Sequence, residues 1–351
     1  MKSLATWLKQ EGTCTKEKSA KRLKAKRKPK KLEISSLDAA KTNSCLLLLL
    51  FFLNRNFSKI LIKSNDILYV MSNSVFVPGH ITGFFTIENH EITLKKGSCG
   101  AGFLLSQGVR TTIDESDELL IDVNQGDDTV IAEVLRIMDV ETDFKITQDI
   151  QLPIGAGFGT SAASALSLSL ALNEFLDLGY SRELCGQIAH MAEVNLGGGL
   201  GDVIAQTGHG MVLRTSPGAP GIGEIKSHEM DVHIAWKTFG AIETSKIIQN
   251  PHHSEVLSTV GLKYLELFEK NQSLGNFLTC SMNFAKETNL MSDEVMELVD
   301  YFNLQDDILG SSMAMLGNTV FAFAYNEDAF KTSGIENLHI DKLNNTGIVY
   351  D

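Results

Sequence analysis

Residues Leu152–Ala163 read LPIGAGFGTSAA. Gly155, Gly157 and Gly159 alternate between a strand-like run, Phe144–Leu152, and a helical run, Ala162–Leu176. Pro153 ends the strand. Glycine permits tight turns and lets consecutive backbone N–H groups converge in a concave nest. A helix opening at about Thr160 aims its positive N-terminal end at the same point. Thr160 and Ser161 add two hydroxyls on its first turn, and Ala162 follows them. This combination suits the phosphates of a nucleotide. It is not a G-K-[ST] phosphate loop, because no lysine follows the glycines. The G-x-G-x-G spacing also differs from the dinucleotide fingerprint. Taken alone, the stretch has a plainer reading as well, a tight strand-to-helix turn.

Downstream, Ser181 is placed to cap a helix running to about Val194, with Leu184, Ile188 and Met191 on one face. Glu193 stands at its end. Gly197, Gly198, Gly199 and Gly201 then lead to Asp202. Phosphoryl transfer needs Mg²⁺ held by carboxylate and hydroxyl oxygens. It gains from a group that orients or deprotonates the attacking hydroxyl. In isolation, Glu193 reads as a solvated helix end and Asp202 as a turn residue.

Together these stretches resemble a known superfamily. Pro153–Ala163 is similar to the phosphate loop of the GHMP kinases, which include galactokinase, homoserine kinase and mevalonate kinase. Val77-Pro78-Gly79-His80 resembles their N-terminal motif. Gly310–Phe321, GSSMAMLGNTVF, stands at the position of their C-terminal glycine-rich motif. The three occur in the family's order across residues 75–325. The resemblance implies an α+β protein with the GHMP kinase fold, a ribosomal-protein-like N-terminal domain followed by a ferredoxin-like α/β C-terminal domain. It implies ATP at Pro153, Gly155, Gly157, Gly159, Thr160, Ser161 and Ala162. It implies Mg²⁺ on Ser161 and Glu193, and Asp202 as the group that takes the hydroxyl proton.

Four stretches narrow the resemblance: VPGHITGFF (77–85), GSCGAG (97–102), AHMAEVNLGGGLGDVIAQ (189–206) and SSMAMLGNTVFA (311–322). They are similar to the archaeal pantoate kinases. Cys99 departs from that pattern, standing where a basic residue is more usual. The implied reaction is ATP-dependent phosphorylation of the 4-hydroxyl of pantoate, on the route to coenzyme A. Another GHMP kinase acting on homoserine, mevalonate or a sugar, and a non-catalytic nucleotide-binding regulator, remain open at this stage.

Charge is unevenly spread along the 351 residues. Residues 1–70 carry 16 Lys/Arg and 5 Asp/Glu, a net +11. The remainder carries 15 and 38, a net −23. A body of that charge has no phosphate-neutralising surface for nucleic acid. It must also recruit a local cation to hold an acidic substrate. Arg214, at the end of a strand-like run from Gly208, is the candidate, because a guanidinium forks onto a carboxylate. His80 and Ser98 complete the expected substrate side.

The first seventy residues read differently. Lys21–Lys31 is a basic run, and Leu46–Leu53 reads LLLLLFFL. Eight residues span about 12 Å as a helix, against the roughly 20 residues a bilayer needs. This segment is expected to be appended or mis-started, although a membrane-tethered adaptor would use the same features. The domain expectation is therefore an appended 1–70, an ATP-binding domain over 71–222 and a C-terminal domain over 223–351. The linker between the last two is expected at SPGAPGIG, 216–223. Five scattered cysteines without metal-ligand spacing suggest free thiols and a cytoplasmic location. A homodimer is the assembly common in the family.

Overall fold

The computed structural model describes residues 62–64, 67–69, 73–241 and 251–351. The basic run and the Leu-rich stretch lie outside the described residues. Two short strands, β1 (Ile62–Ser64) and β2 (Ile67–Tyr69), pair antiparallel with each other. Residues 74–351 form one compact unit, described below.

Its larger sheet is built around β3 (Ser74–Phe85) and β4 (Gly100–Glu115), an antiparallel pair of long strands. Sequence reading expects β4 as two pieces, because Ser106-Gln107-Gly108 looks like a turn. Instead the strand runs through, and Gly108 lies opposite Pro78. Proline cannot donate to a ladder, so it is tolerated in a strand at a bulge. The register shifts between Pro78 and His80 accordingly. β6 (Phe144–Ile150) continues the sheet beside β4, and β5 (Leu120–Val123) pairs parallel with β6. Parallel neighbours need a crossover, supplied here by α1 (Thr129–Met138). β7 (Met211–Ser216) pairs with the start of β4, and β8 (Glu224–His228) with β7.

Two helices cover this sheet. α2 (Thr160–Phe175) packs on β3 and β4 and carries α3 (Arg182–Leu196) on its other side. Its sequence, TSAASALSLSLALNEF, predicts one apolar stripe. In the structure every residue from Ala162 to Leu172 is buried. Small side chains allow this, and the serines are satisfied internally. The Ser167 hydroxyl meets that of Thr111 at 2.7 Å, and the Ser169 hydroxyl donates to the Cys185 carbonyl at 3.0 Å. As expected, the Ser181 hydroxyl caps α3 by accepting from the Leu184 N–H.

The smaller sheet contains β9 (His233–Thr238), β10 (Gly310–Ala314), β11 (Thr319–Ala324) and β12 (His339–Lys342). Their order is β10-β11-β9-β12, all antiparallel, the arrangement of a ferredoxin-like split βαβ unit. Helices α5 (Pro251–Lys270), α6 (Leu274–Glu287) and α7 (Asp293–Asn303) link β9 to β10. Between α3 and α5 in the chain, α4 (Asp202–Gln206) is a short helix that belongs to the active site.

The two sheets share one core. Phe103 on β4 meets Phe321 and Phe323 on β11 at ring separations of 5.0 and 4.8 Å, and Phe277 on α6 at 6.0 Å. Edge-on aromatic pairs of this kind contribute about 0.5–1.5 kcal/mol beyond their burial. The chain beyond residue 222 also returns two strands to the larger sheet: β8, and β13 (Val349–Tyr350), whose Val349 pairs with Phe76. Among the described residues, no helix is long and apolar enough to cross a membrane. Cys99, Cys185 and Cys280 are buried and unpaired.

Candidate active site

The glycine loop adopts the turn its sequence predicts. Gly155, Gly157 and Gly159 have φ of 73°, 88° and 58°, in the left-handed region that side chains disfavour. Gly159 caps α2, so the free N–H groups of the helix's first turn face the loop's concave side.

Segments distant in sequence hold the loop in place. The His80 N–H donates to the Phe158 carbonyl at 2.9 Å, tying the first motif to it. The Thr319 hydroxyl donates to the Ala156 carbonyl at 2.8 Å, tying in the third. Gly317 approaches so closely that an added Cβ would stand 2.0 Å from the Ala156 oxygen. Only glycine fits there. Phe158 packs edge-on against Trp236 at 4.7 Å, anchoring the loop from the smaller sheet.

The acidic residues lie beside this loop. Glu193, in the last turn of α3, is 2% exposed. It accepts a hydrogen bond from the Ser161 hydroxyl and another from the Gly199 N–H at 3.2 Å. Burial, with help from the charge of Asp202, pushes its carboxyl up to about 7 against those hydrogen bonds. Asp202 opens α4, and its side chain is 23% exposed. A Cβ on Gly159 would stand 3.2 Å from the Asp202 Cγ, so this carboxylate adjoins the loop's end.

Behind Asp202 lies a buried polar chain. His80 Nδ1 is 2.7 Å from Asp202 Oδ1, and Arg214 Nη1 is 3.4 Å from His80 Nε2. Burial drives the His80 imidazole below its usual range, against the pull of Asp202. Burial would raise Asp202, but the hydrogen bond from His80 and the charge of Arg214 outweigh it and hold the carboxyl low. Arg214 comes from the middle of β7 and is 1% exposed. Its other donors reach the Ser98 carbonyl and hydroxyl, both at 3.2 Å, and the Thr82 hydroxyl at 3.5 Å. Burial lowers its pKa from the usual value, while Asp202 opposes that.

Most of these groups line one cleft that is open to solvent. Gly155, Gly157, Gly159, Thr160 and Ser161 line it, as do Glu193, Asp202, Ser98 and Arg214. Three residues expected at ligands do not. Pro153 lies outside, where its carbonyl accepts from the Thr160 hydroxyl at 3.4 Å. Ala162 is wholly buried under the first turn of α2. His80 is fully buried and meets the cleft only through its contacts with Asp202 and Arg214, which do line it. Conversely, Thr82, Phe85, Leu200 and Met315 line the cleft without having been singled out. Thr82 was within reach of the sequence, since side chains two apart on a strand share a face. Leu200 and Met315 arrive through loops whose path no local pattern reveals.

A model of the GHMP kinases N terminal domain matches residues 129–210, which include the glycine loop, Glu193 and Asp202. The pantoate kinase of Methanocaldococcus jannaschii is 35% identical over 257 residues, 72% of this chain and 93% of that protein. The pantoate kinase of Thermococcus kodakarensis is 34% identical over 272 residues, 73% of this chain and 89% of that one. A solved structure described as a phosphotransferase related to the CoA biosynthesis pathway superposes with a TM-score of 0.69 at 29% identity. It covers 79% of this chain and 98% of its own. With a shared fold, and with sequence likeness that runs nearly the full length of these relatives, the chain belongs to the pantoate kinases, a branch of the GHMP kinase family.

Proposed function

We propose that this chain is an ATP-dependent kinase that transfers the γ-phosphoryl group to the 4-hydroxyl of (R)-pantoate, giving 4-phosphopantoate. The observation that carries the reading is Arg214. Its guanidinium is buried, its hydrogen bonds go to neutral acceptors among the described residues, and it opens onto the same cleft as Asp202 and the glycine loop. A buried cation without an anion in contact is costly, and a substrate carboxylate removes that cost. Pantoate carries a carboxylate for Arg214 and Ser98 at one end and a primary hydroxyl for Asp202 at the other. Similarity to the two named pantoate kinases supports the same acceptor.

The loop N–H groups, the α2 N-terminus and the Thr160 and Ser161 side of the cleft would bind the phosphates of ATP. Asp202, held ionised, accepts a hydrogen bond from the 4-hydroxyl and takes its proton as the oxygen attacks the γ-phosphorus. Arg214 fixes the far end, so that only that hydroxyl faces the phosphate. Glu193 and Ser161 would hold Mg²⁺. The fit rests on a buried carboxyl that is pushed up to about 7, lies beside a hydroxyl, and has no basic side chain bonded to it among the described residues. Among those residues there is no cluster of three or more His, Cys, Asp or Glu that could hold a metal. That suits an ion kept by one or two protein oxygens plus substrate phosphates. When bound, the ion neutralises phosphate charge. A cytoplasmic homodimer belongs to the same reading, and sedimentation of the purified chain tests the assembly.

The deciding measurement is turnover of ATP by the purified full chain with pantoate, homoserine or mevalonate. Turnover confined to pantoate is expected, and preference for either of the others sinks the acceptor assignment. Asp202→Asn should lower kcat by about 10²–10⁴-fold with nucleotide binding intact, the usual range for removing a general base. Near-normal turnover would remove Asp202 from that role.

A further inference from the structure

From the buried chain Arg214–His80–Asp202, we infer that His80 is a positioning residue. It holds Asp202 in one orientation through an Nδ1–H hydrogen bond, and Arg214 fixes its tautomer. This rests on the reading of Asp202 as the base, and adds to it that the anion clamp and the base are mechanically one unit.

The geometry supports each link. The Arg214 guanidinium has only donors, so His80 Nε2 at 3.4 Å faces it as an acceptor. A neutral imidazole has one donor and one acceptor, so Nδ1 must then carry the proton. Nδ1 lies 2.7 Å from the Asp202 carboxylate, which accepts it. A protonated imidazole would set Nε2–H against the guanidinium, donor against donor. Packing leaves the ring little freedom. His80 is 0% exposed, and its backbone N–H is held by the Phe158 carbonyl. Gly102 lies so near that a Cβ there would stand 2.4 Å from Nε2.

Two consequences follow. First, His80 touches neither the cleft nor a phosphate, so its loss should appear in kcat rather than in nucleotide affinity. Second, what matters is a donor at the Nδ1 position, which the amide of asparagine can supply and the longer glutamine amide cannot. The test compares His80→Ala, His80→Asn and His80→Gln in the full chain, with whichever acceptor the wild type turns over. His80→Ala and His80→Gln should lose roughly 10²-fold in kcat, the scale of a small misplacement of a reacting group. KM for ATP should change little, and His80→Asn should recover most of the loss. Unaltered kcat in His80→Ala, or His80→Asn no better than His80→Gln, overturns the proposal. If His80→Ala does not fold, the asparagine–glutamine comparison still decides.

A second measurement needs no turnover. In ¹⁵N spectra of the ligand-free full chain, the His80 signals are identified by their absence in His80→Asn. They should show a neutral ring protonated at Nδ1. An Nε2–H tautomer or an imidazolium overturns the proposal even if the chain proves a kinase for another acceptor. The Nδ1–H form stands even if pantoate is not the substrate.

Discussion

Arg214, Glu193 and Asp202 each occupy a position where burial works against their charge, and each meets that burden differently. Arg214 is relieved by neutral oxygens and, in the proposed reaction, by the substrate. Arg214→Ala should therefore raise KM for pantoate by about 10- to 100-fold, the scale of a charge-assisted hydrogen bond, with a smaller effect on KM for ATP. An unchanged KM for pantoate would end the clamp. Glu193 carries its burden as a pKa raised to about 7. The folded state then holds a proton that the unfolded chain releases near 4.5. Without Mg²⁺, stability should fall as pH rises from about 4.5 to about 7 and level off above. Glu193→Gln should flatten that slope in thermal denaturation at stepped pH, and a slope identical to wild type would count against it. That Ser161, Glu193 and Asp202 belong to one site was legible through the resemblance of their order along the chain to that of the GHMP kinases, and the structure brings all three to the cleft. The burial of His80 was not, because a histidine beside proline and glycine looks like a turn residue. Only the pairing of β3 with β4 shows it to be inside.

At the scale of elements, the helices were read most accurately. The helix that the sequence places from Ser181 to about Val194 is α3, and the Ser181 cap is as expected. Local signals suffice there, because caps and a 3.6-residue stripe are written in neighbouring residues. α2 shows the limit. Its stripe of Ala165, Leu168, Leu172 and Phe175 turns inward, Phe175 only half-buried against Phe144, but the intervening alanines and serines are buried too. A helix enclosed by a sheet on one side and helices on the other has no polar face to reveal it. Leu168, 0% exposed, is a direct test. Leu168→Ala should cost about 2–5 kcal/mol in chemical denaturation, the range for a truncated core leucine. A cost below 1 kcal/mol would mean that the helix packs less closely than described. The strands fared less well. β4 runs through where the sequence suggests two pieces, β13 has only two residues, and β8 (EIKSH) and β12 (HIDK) each hold a single apolar residue, so no alternation shows.

Over the whole molecule, the split charge of the sequence gains a physical setting. Among the described residues, those lining the cleft fall between Thr82 and Leu316, within the acidic part of the chain. A chain beginning at Met71 should keep the kcat and KM values of the full one, and loss of turnover on truncation would give the first seventy residues a role in catalysis. The shared core sets the folding behaviour of residues 74–351. With Phe103 wedged against Phe321 and Phe323, neither sheet has a complete core alone. The contact between Phe158 and Trp236 has an optical consequence. The only other tryptophan is Trp7, so in the chain from Met71 every indole photon comes from Trp236. That indole lies edge-on to the loop's own phenylalanine, and its Nε1 is buried with no hydrogen-bond partner among the described residues. Its emission is therefore a built-in, label-free readout of the loop, fast enough to time nucleotide arrival by stopped flow.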